Sequence, residues 1–304
     1  ADPMDIQEDP IVNIANITKT FNEFQKVPEM DAYAASALAQ AASGFGGVDD
    51  TSLTADNILE TWDTYLAYMV NQRVPRDRIR AKMTPDTYKL LKEAAGITRF
   101  VEADTGIRNI DRNVGKLDGV VIMEVPKDIM MSAYDFTEGW ASATGAKQIN
   151  LLMFDPIAIA APVVYETSMM SAPTAQSKGK WLYYERYYYD VFALNQRLPG
   201  IFVNMASNPA LGTLNITTSA GADSTHTVIN GLAPAPYGMK YVAKTNTDGA
   251  VSVTYGQALT DWTDVTNGAS FTTKSGDTVT VALVNTTKGN IATATGSALA
   301  VVGS

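Results

Sequence analysis

Cysteine is absent from the 304-residue chain, and histidine occurs only once, at His226. The chain therefore cannot form a disulfide, a thiolate nucleophile, a cysteine-ligated zinc or iron–sulfur site, or any centre that needs two histidines. Charged residues make up only 18% of the sequence, and the formal net charge is -9. This acidic balance disfavours general binding to nucleic acid or anionic membranes, because phosphate contacts require clustered lysine and arginine.

Long hydrophobic runs are also missing, since no stretch reaches the roughly 18–20 apolar residues that span a bilayer. What is present is 46% hydrophobic and 9% aromatic residues, which is enough for a sizeable core. We therefore predict a folded protein with no membrane partner and no specific nucleic-acid partner. The chain opens with Ala1-Asp2-Pro3, without Met or a signal peptide, and we expect these residues to be a vector remnant.

The composition changes near Asn208-Pro209. From residue 210 onward there is neither glutamate nor arginine, and Thr, Gly, Ala and Val dominate. Such a shift at an Asn-Pro step is a domain-boundary signal. We therefore expect one domain over residues 1–207 and a second over residues 208–304.

Helix signals occur in three places in the first part. Apolar residues at helical spacing predict a helix over 53–70, with Thr54 as its N-cap. A capping Thr, a Pro and an acid at 84–86 predict the start of a second helix. The segment 21–42 is typical of a helix that is interrupted at Pro28.

Strand signals lie between and after these helices. Residues 79–83 predict a short strand. Residues 115–126 predict a hairpin or the start of a strand, with Asp118-Gly119 as the turn. Residues 147–168 are apolar and β-branched, which is typical of a buried strand. The run 181–194 is aromatic at both parities, which predicts a strand with both faces covered. Helices and strands mixed without regular alternation predict the α+β class.

The second part carries short strand-like runs separated by turn signals such as Asn230-Gly231 and Asp248-Gly249. The runs are 211–218, 225–229, 238–244, 250–255, 270–273, 277–284 and 298–302. About seven short strands in roughly 95 residues predict an all-β, immunoglobulin-like sandwich. Without a cysteine pair, its own core would hold it together.

Catalytic motifs are weak. His226 could belong to a Ser/His/Asp triad, but a surface or strand-edge histidine is the better interpretation. Ser177 and Lys180 match the Ser-x-x-Lys spacing of some acylating enzymes, yet they lie in a loop rather than on the required helix. The Gly44–Gly47 segment lacks the third glycine of a dinucleotide loop, and Asn246–Gly249 lacks the glutamate of a calcium loop. We therefore predict no enzyme activity, no cofactor and no metal.

Two aromatic groups are more informative. The first lies in one strand and favours packing in the core or at a subunit interface over stacking on bases or sugars. Its members are Trp181, Tyr183, Tyr184, Tyr187, Tyr188 and Tyr189. The second lies in the sandwich and is a candidate binding platform, with core packing as the alternative for each residue. Its members are Tyr237, Tyr241, Tyr255 and Trp262.

Four short motifs are arranged in order along the first part. They are Phe21-Asn-Glu-Phe-Gln-Lys-Val-Pro-Glu-Met-Asp-Ala-Tyr33, Thr84-Pro-Asp-Thr-Tyr-Lys-Leu-Leu91, Arg112-Asn-Val-Gly-Lys-Leu-Asp-Gly119 with Val125-Pro126, and the run from Trp181 to Asn195 with Gly200-Ile201-Phe202 after it. In this order they resemble the major capsid proteins of tailed bacteriophages, particularly those of Gram-positive hosts.

The resemblance implies the Hong Kong 97-type capsid fold, in which an axial and a peripheral domain share one chain. By this likeness residues about 45–155 would be axial, whereas about 4–44 and 156–207 would be peripheral, with the helix around 14–42 as a spine. Residues 208–304 resemble the immunoglobulin-like domains that some phage capsids display outward. The N-terminal arm and extended loop of the family are absent, so we expect the chain to be a fragment.

The implied function is structural: a subunit of an icosahedral virion, from a bacteriophage or prophage, that self-assembles in the bacterial cytoplasm and encloses the genome. The full-length chain would form capsomers, and this shortened chain is expected to be monomeric. One alternative is a binding module whose sandwich attaches to glycans or to a host or immune protein. The others are a hydrolase that uses His226 or Ser177 with Lys180, and a nanocompartment shell protein of the same fold.

Overall fold

The computed structural model describes residues 14–94, 100–104, 107–111 and 114–303, and this part of the chain mixes helices with many strands, as the α+β prediction requires. The α-helices are α1 (Ile14–Phe21), α2 (Val27–Phe45), α3 (Ile58–Asn71) and α4 (Pro85–Glu93). The strands up to residue 205 are β1 (Val48–Asp49), β2 (Arg80–Met83), β3 (Phe100–Asp104), β4 (Ile107–Asp111), β5 (Lys116–Leu117), β6 (Val120–Glu124), β7 (Tyr134–Asp135), β8 (Ala141–Ser142), β9 (Ile149–Phe154), β10 (Ile159–Ala160), β11 (Val163–Ser171), β12 (Leu182–Tyr189), β13 (Phe192–Ala193) and β14 (Ile201–Met205). The later strands are β15 (Gly212–Thr213), β16 (Thr217–Ala220), β17 (His226–Asn230), β18 (Met239–Asn246), β19 (Thr263–Val265), β20 (Ser270–Thr272), β21 (Thr278–Asn285) and β22 (Ile291–Leu299).

A six-stranded sheet in the order β1-β14-β9-β2-β6-β5 forms the centre of the first part. One face is covered by α3 and α4, whose Trp62 and Leu91 share a core with Met153 of β9. The other face is covered by α2, whose Leu38 packs in a second core with Leu152. Because both faces are buried, β9 is apolar on both parities, and this part of the predicted buried strand is confirmed.

Strand β14 brings residues 201–205 into the central sheet. It pairs in parallel with β1 and antiparallel with β9. The expected division into an axial and a peripheral part, and the outer boundary at residue 207, stay predictions.

A continuous helical rod runs from α1 into α2, because the π-helical turn Asn22–Lys26 joins them. The predicted interruption at Pro28 is therefore wrong. Pro28 lies in the first turn of α2, directly after the wider π turn, where a residue without an N–H group is tolerated. The rod ends at Gly46, whose φ of 84° would strain a residue with a side chain.

The helix starts are set by the side chains that cap them. Thr84 caps α4 as predicted, since its side chain accepts a hydrogen bond from the Thr87 N–H. Helix α3 begins at Ile58, later than predicted, because Thr54 and Asn57 first form a turn. In this turn each side chain accepts a hydrogen bond from the other residue's backbone N–H.

Two hairpins of different length lie in the first part. The β5–β6 hairpin is confirmed, and its turn residues Asp118 and Gly119 have φ values of 50° and 87°, as a type I′ turn requires. The longer β11–β12 hairpin pairs Val163 with Tyr189 at one end and Ser171 with Leu182 at the other. The single buried strand predicted over 147–168 is therefore wrong beyond β9, since the chain breaks and re-forms as β10 and β11.

The second part is a sandwich of two sheets. A five-stranded sheet, β15-β22-β21-β18-β19, packs on a three-stranded sheet, β16-β17-β20, around residues such as Ile229, Phe271 and Val281. The strand predicted over 250–255 is wrong: Val253 packs instead against the core cluster on the outer face of the larger sheet. The strand predicted over 298–302 is also misplaced, because β22 occupies Ile291–Leu299.

Candidate functional site

Exposed apolar and aromatic side chains are concentrated on the helical rod and on the β11–β12 hairpin. On the rod they are Ile17, Phe21, Phe24 and Val27. On the hairpin, apart from Val163 at its open end, they are Met169, Met170, Leu182, Tyr183, Tyr184 and Tyr188. We call these ten side chains the helix–hairpin surface. Exposed apolar residues concentrated in this way are characteristic of protein–protein contact sites.

The rod turns a polar side toward the hairpin and leaves apolar side chains outside. The Nζ atom of Lys26 lies 2.5 Å from Oε1 of Glu185 and 4.4 Å from the ring centre of Tyr187. Phe24, by contrast, is 64% exposed. A helix on the surface of an isolated protein normally buries its apolar stripe and exposes its polar face. Within the described residues, this part of the rod therefore leaves its apolar side chains uncovered.

Side-chain pairs hold the hairpin to the rod. The Tyr33 hydroxyl donates to Oδ1 of Asp190 at 2.7 Å, and the Tyr33 and Tyr189 rings meet edge to face with 5.4 Å between their centres. The hydrogen bond to Asp190 raises the pKa of Tyr33, and that from Lys26 lowers the pKa of Glu185. These contacts fix the orientation of the hairpin relative to the rod.

The first aromatic group divides into half-buried and exposed members. Tyr187 and Tyr189 are half-buried toward the rod, and Trp181 is also half-buried. Tyr183, Tyr184 and Tyr188 are 40%, 54% and 51% exposed. The prediction that both faces of this strand are covered is therefore wrong for the single chain, because β12 belongs to a two-stranded ribbon rather than to a central sheet. A role at a subunit interface stays a prediction.

The sandwich contacts the end of the rod closely. Nδ2 of Asn285 donates to the backbone carbonyl of Phe45 at 2.5 Å, and the Phe45 side chain is fully buried in a cluster with Leu198 and Met239. The Tyr255 hydroxyl donates to the backbone carbonyl of Ser43 at 2.8 Å. The two predicted domains thus share a core.

The four residues of the predicted platform, Tyr237, Tyr241, Tyr255 and Trp262, lie in different environments, and their role in binding stays a prediction. Tyr241 lies in the sandwich core at 7% exposure, Tyr255 is held at the junction, and Trp262 packs against the outer apolar cluster. Only Tyr237, at 61% exposure, presents its ring to solvent. The positions of the aromatic residues in the sequence do not show which face of β18 is buried, so the burial of Tyr241 could not be predicted from them.

A cavity of about 670 Å³ lies at the junction, lined by Asp49, Tyr65 and Lys288 among others. Nζ of Lys288 donates to the Gly46 carbonyl at 3.0 Å and lies 4.4 Å from the ring centre of Phe202. Burial lowers the pKa of Lys288 to about 8. The Tyr65 hydroxyl donates to Asp49, and burial raises the pKa of this tyrosine. Sequence reasoning missed this site, since a lone lysine before a glycine is typical of a turn.

The candidate catalytic residues are brought only partly together. Nδ1 of His226 lies 2.7 Å from Oδ1 of Asp223, and this hydrogen bond lowers the pKa of Asp223 to about 2. The hydroxyl facing Nε2 is that of Thr272, at a long 3.5 Å and on the neighbouring strand β20. His226 is the first residue of β17, as expected of a strand-edge histidine.

The Ser-x-x-Lys motif forms a turn, as predicted. The Ser177 hydroxyl donates to the backbone carbonyl of Lys180 at 2.7 Å and also bonds to Thr174. Within the described ranges, no group of three or more aspartate, glutamate or histidine residues could hold a metal ion. None of the helices in those ranges is long and apolar enough to cross a membrane.

Comparisons with known proteins give distant likenesses. No family model matches the chain, and no curated protein sequence matches it. A structure described as Mycobacterium phage Che8 is 16% identical over 67% of each chain, with a TM-score of 0.45. Domains 7, 8 and 9 of the S-layer protein SbsC are 12% identical over 39% of this chain and 36% of that one, with a TM-score of 0.27. Such values do not identify a family.

Proposed function

We propose that the chain is a structural subunit of a bacteriophage or prophage capsid, with the Hong Kong 97-type fold in its first part and an immunoglobulin-like decorating domain after residue 208. The observation that carries this proposal is the helix–hairpin surface, where Phe24 and Met170 are 64% and 60% exposed. A shell protein needs such surfaces on every copy, because standard interfaces bury about 1,600 Å² in total.

Two of the four motifs that resemble capsid proteins coincide with this surface. The first motif runs along the helical rod, which includes Phe21 and Phe24, and the fourth contains strand β12. The residues that carry the resemblance therefore supply seven of the ten exposed side chains, as well as the pair Lys26 and Glu185 that holds the hairpin to the rod. The proposal thus rests on the sequence motifs and on the chemistry of the surface together.

The sandwich would be the decorating domain. It is attached at the C-terminal end of the rod, through Phe45 and Tyr255, away from the exposed residues of α1. Self-association through the helix–hairpin surface would leave this attachment intact. The proposed structural role therefore does not require a ligand-binding site on the sandwich.

The experiment is sedimentation and negative-stain electron microscopy of the purified chain across about 1 µM to about 1 mM, the range of weak association. We expect monomers at the low end, as predicted for the shortened chain, and rings of five or six copies or curved sheets only at the high end, where weak contacts through the helix–hairpin surface become populated. Replacing Phe24→Asp or Met170→Asp places a charge in the buried centre of the contact, and this should abolish the association.

Leu299→Asp is the matched control, because Leu299 is 67% exposed but lies on strand β22 of the sandwich. This variant should associate like the wild type. If the wild-type chain stays monomeric at every concentration, or if Leu299→Asp blocks association as strongly as Phe24→Asp, the helix–hairpin surface is not an assembly interface.

A further inference from the structure

A recess of about 230 Å³ lies beyond the end of α3, and three of the chain's nine arginines line it. Arg73 lies just after α3, Arg78 precedes β2, and Arg197 lies in the 3-10 turn Asn195–Gly200. Tyr237, the exposed aromatic residue of the sandwich, also lines the recess. Both parts of the protein therefore contribute to it.

The recess carries excess positive charge. Its one carboxylate, Asp155, is 2% exposed, and its Oδ2 accepts a hydrogen bond from Nη2 of Arg78 at 2.6 Å. Its Oδ1 accepts from the Ile157 N–H at 3.2 Å. Both oxygens are thus engaged, and three positive groups against one negative group leave a net charge of about +2 in a chain of -9.

Several donors in the recess lack acceptors. Nε of Arg78 is buried and has no hydrogen-bond partner within the part of the chain that the structure describes. The side chains of Arg73 and Arg197 form no hydrogen bond or ion pair with any described residue. Arg73 and Arg197 therefore keep their N–H donors for an external anion, which would also offset the repulsion between the positive groups of the recess.

We propose that the recess binds a phosphoryl group. Guanidinium groups match tetrahedral phosphate oxygens with paired N–H donors, and three of them converge here. The volume lies below the roughly 300 Å³ at which pockets for drug-sized ligands begin, so it suits free phosphate or the terminal phosphate of a larger molecule. Tyr237 closes the recess from the sandwich side.

The test is calorimetric titration of the full chain with inorganic phosphate, at fixed pH and with chloride holding the ionic strength constant. The wild type should bind saturably. Arg73→Gln and Arg197→Gln each remove a charged donor and should raise the dissociation constant for phosphate about tenfold. Both residues are exposed outside the core, so the variants should keep the wild-type melting temperature.

Arg76→Gln is the matched control, since Arg76 lies in the same segment and is exposed but does not line the recess. It should bind phosphate like the wild type.

A second titration uses a short DNA oligonucleotide with a 5′ phosphate. Competition with inorganic phosphate would assign the site to a terminal phosphate on a nucleic acid, and no competition would assign it to free phosphate. Absence of saturable phosphate binding, or equal loss in Arg76→Gln, would overturn the proposal.

Discussion

Lys288 places a cation at the junction between the sandwich and the first part of the chain. Its Nζ lies 4.4 Å from the ring centre of Phe202 and 5.5 Å from that of Tyr68. The rings and the Gly46 carbonyl favour the ammonium form, whereas burial disfavours it. Burial is the larger effect, since the pKa of Lys288 falls from 10.5 to about 8. No signal in the sequence distinguishes this lysine from the exposed ones in the same domain.

This pKa shift predicts how stability depends on pH. Between pH 8 and 10.5 the unfolded chain holds the Lys288 proton more tightly than the folded chain, so this group makes the free energy of unfolding rise with pH in that window. Lys288→Met keeps most of the aliphatic stem and removes the charge, so the rise due to this group should disappear. Denaturant unfolding from pH 8 to about 9.5, below the titration of ordinary tyrosines, measures the difference.

Lys274→Met serves as the comparison, because Lys274 is exposed in the turn before β21. The free energy of unfolding of the wild type, minus that of Lys288→Met, should increase with pH across the window. Parallel curves for these two proteins would mean that Lys288 is solvated in the folded state.

The rod and the hairpin behave as one unit at the scale of elements. Tyr33→Phe removes the hydroxyl that donates to Asp190 at 2.7 Å and should lower the free energy of unfolding by about 1 kcal/mol, because this hydrogen bond is only partly shielded from water. Tyr237→Phe is the control, since its ring is 61% exposed and should change stability little. Urea unfolding measures both variants. Equal stability of Tyr33→Phe and the wild type would show that the hairpin is held by ring packing alone.

Local signals predicted the elements that local chemistry determines. The Thr84 cap and the Asp118-Gly119 turn are examples, because each depends on residues within one turn of the chain. The continuity of the rod through Pro28 depends on the π turn before it, which leaves no periodic signal. Strand β22 was missed for a related reason: its alanines and threonines gain their burial from β21 rather than from their own hydrophobicity.

At the scale of the whole molecule, the change of composition near residue 208 indicated two parts but not their shared core. Residue types reveal where a chain changes character, whereas the contact between Phe45, Leu198 and Met239 joins segments that are far apart in sequence. The helix–hairpin surface also depends on pairing that the sequence does not show. The aromatic residues of β12 are evident in the sequence, but they are exposed because, among the described strands, β12 pairs only with β11. The recess formed by Arg73, Arg78 and Arg197 needed the fold to bring its members together.

The shared core predicts that the two parts unfold together. Phe45 is fully buried, and Phe45→Ala should destabilise the protein by about 3–5 kcal/mol, the usual result of truncating a buried phenylalanine. The removed ring would leave an empty space between the rod and the sandwich and weaken their contact. Differential scanning calorimetry should therefore show one transition in the wild type and two in the variant. Phe24→Ala, whose side chain is 64% exposed, should keep the single transition at nearly the same temperature. Two transitions in the wild type, only one of them shifted by Phe45→Ala, would mean that the sandwich is stable without the rod.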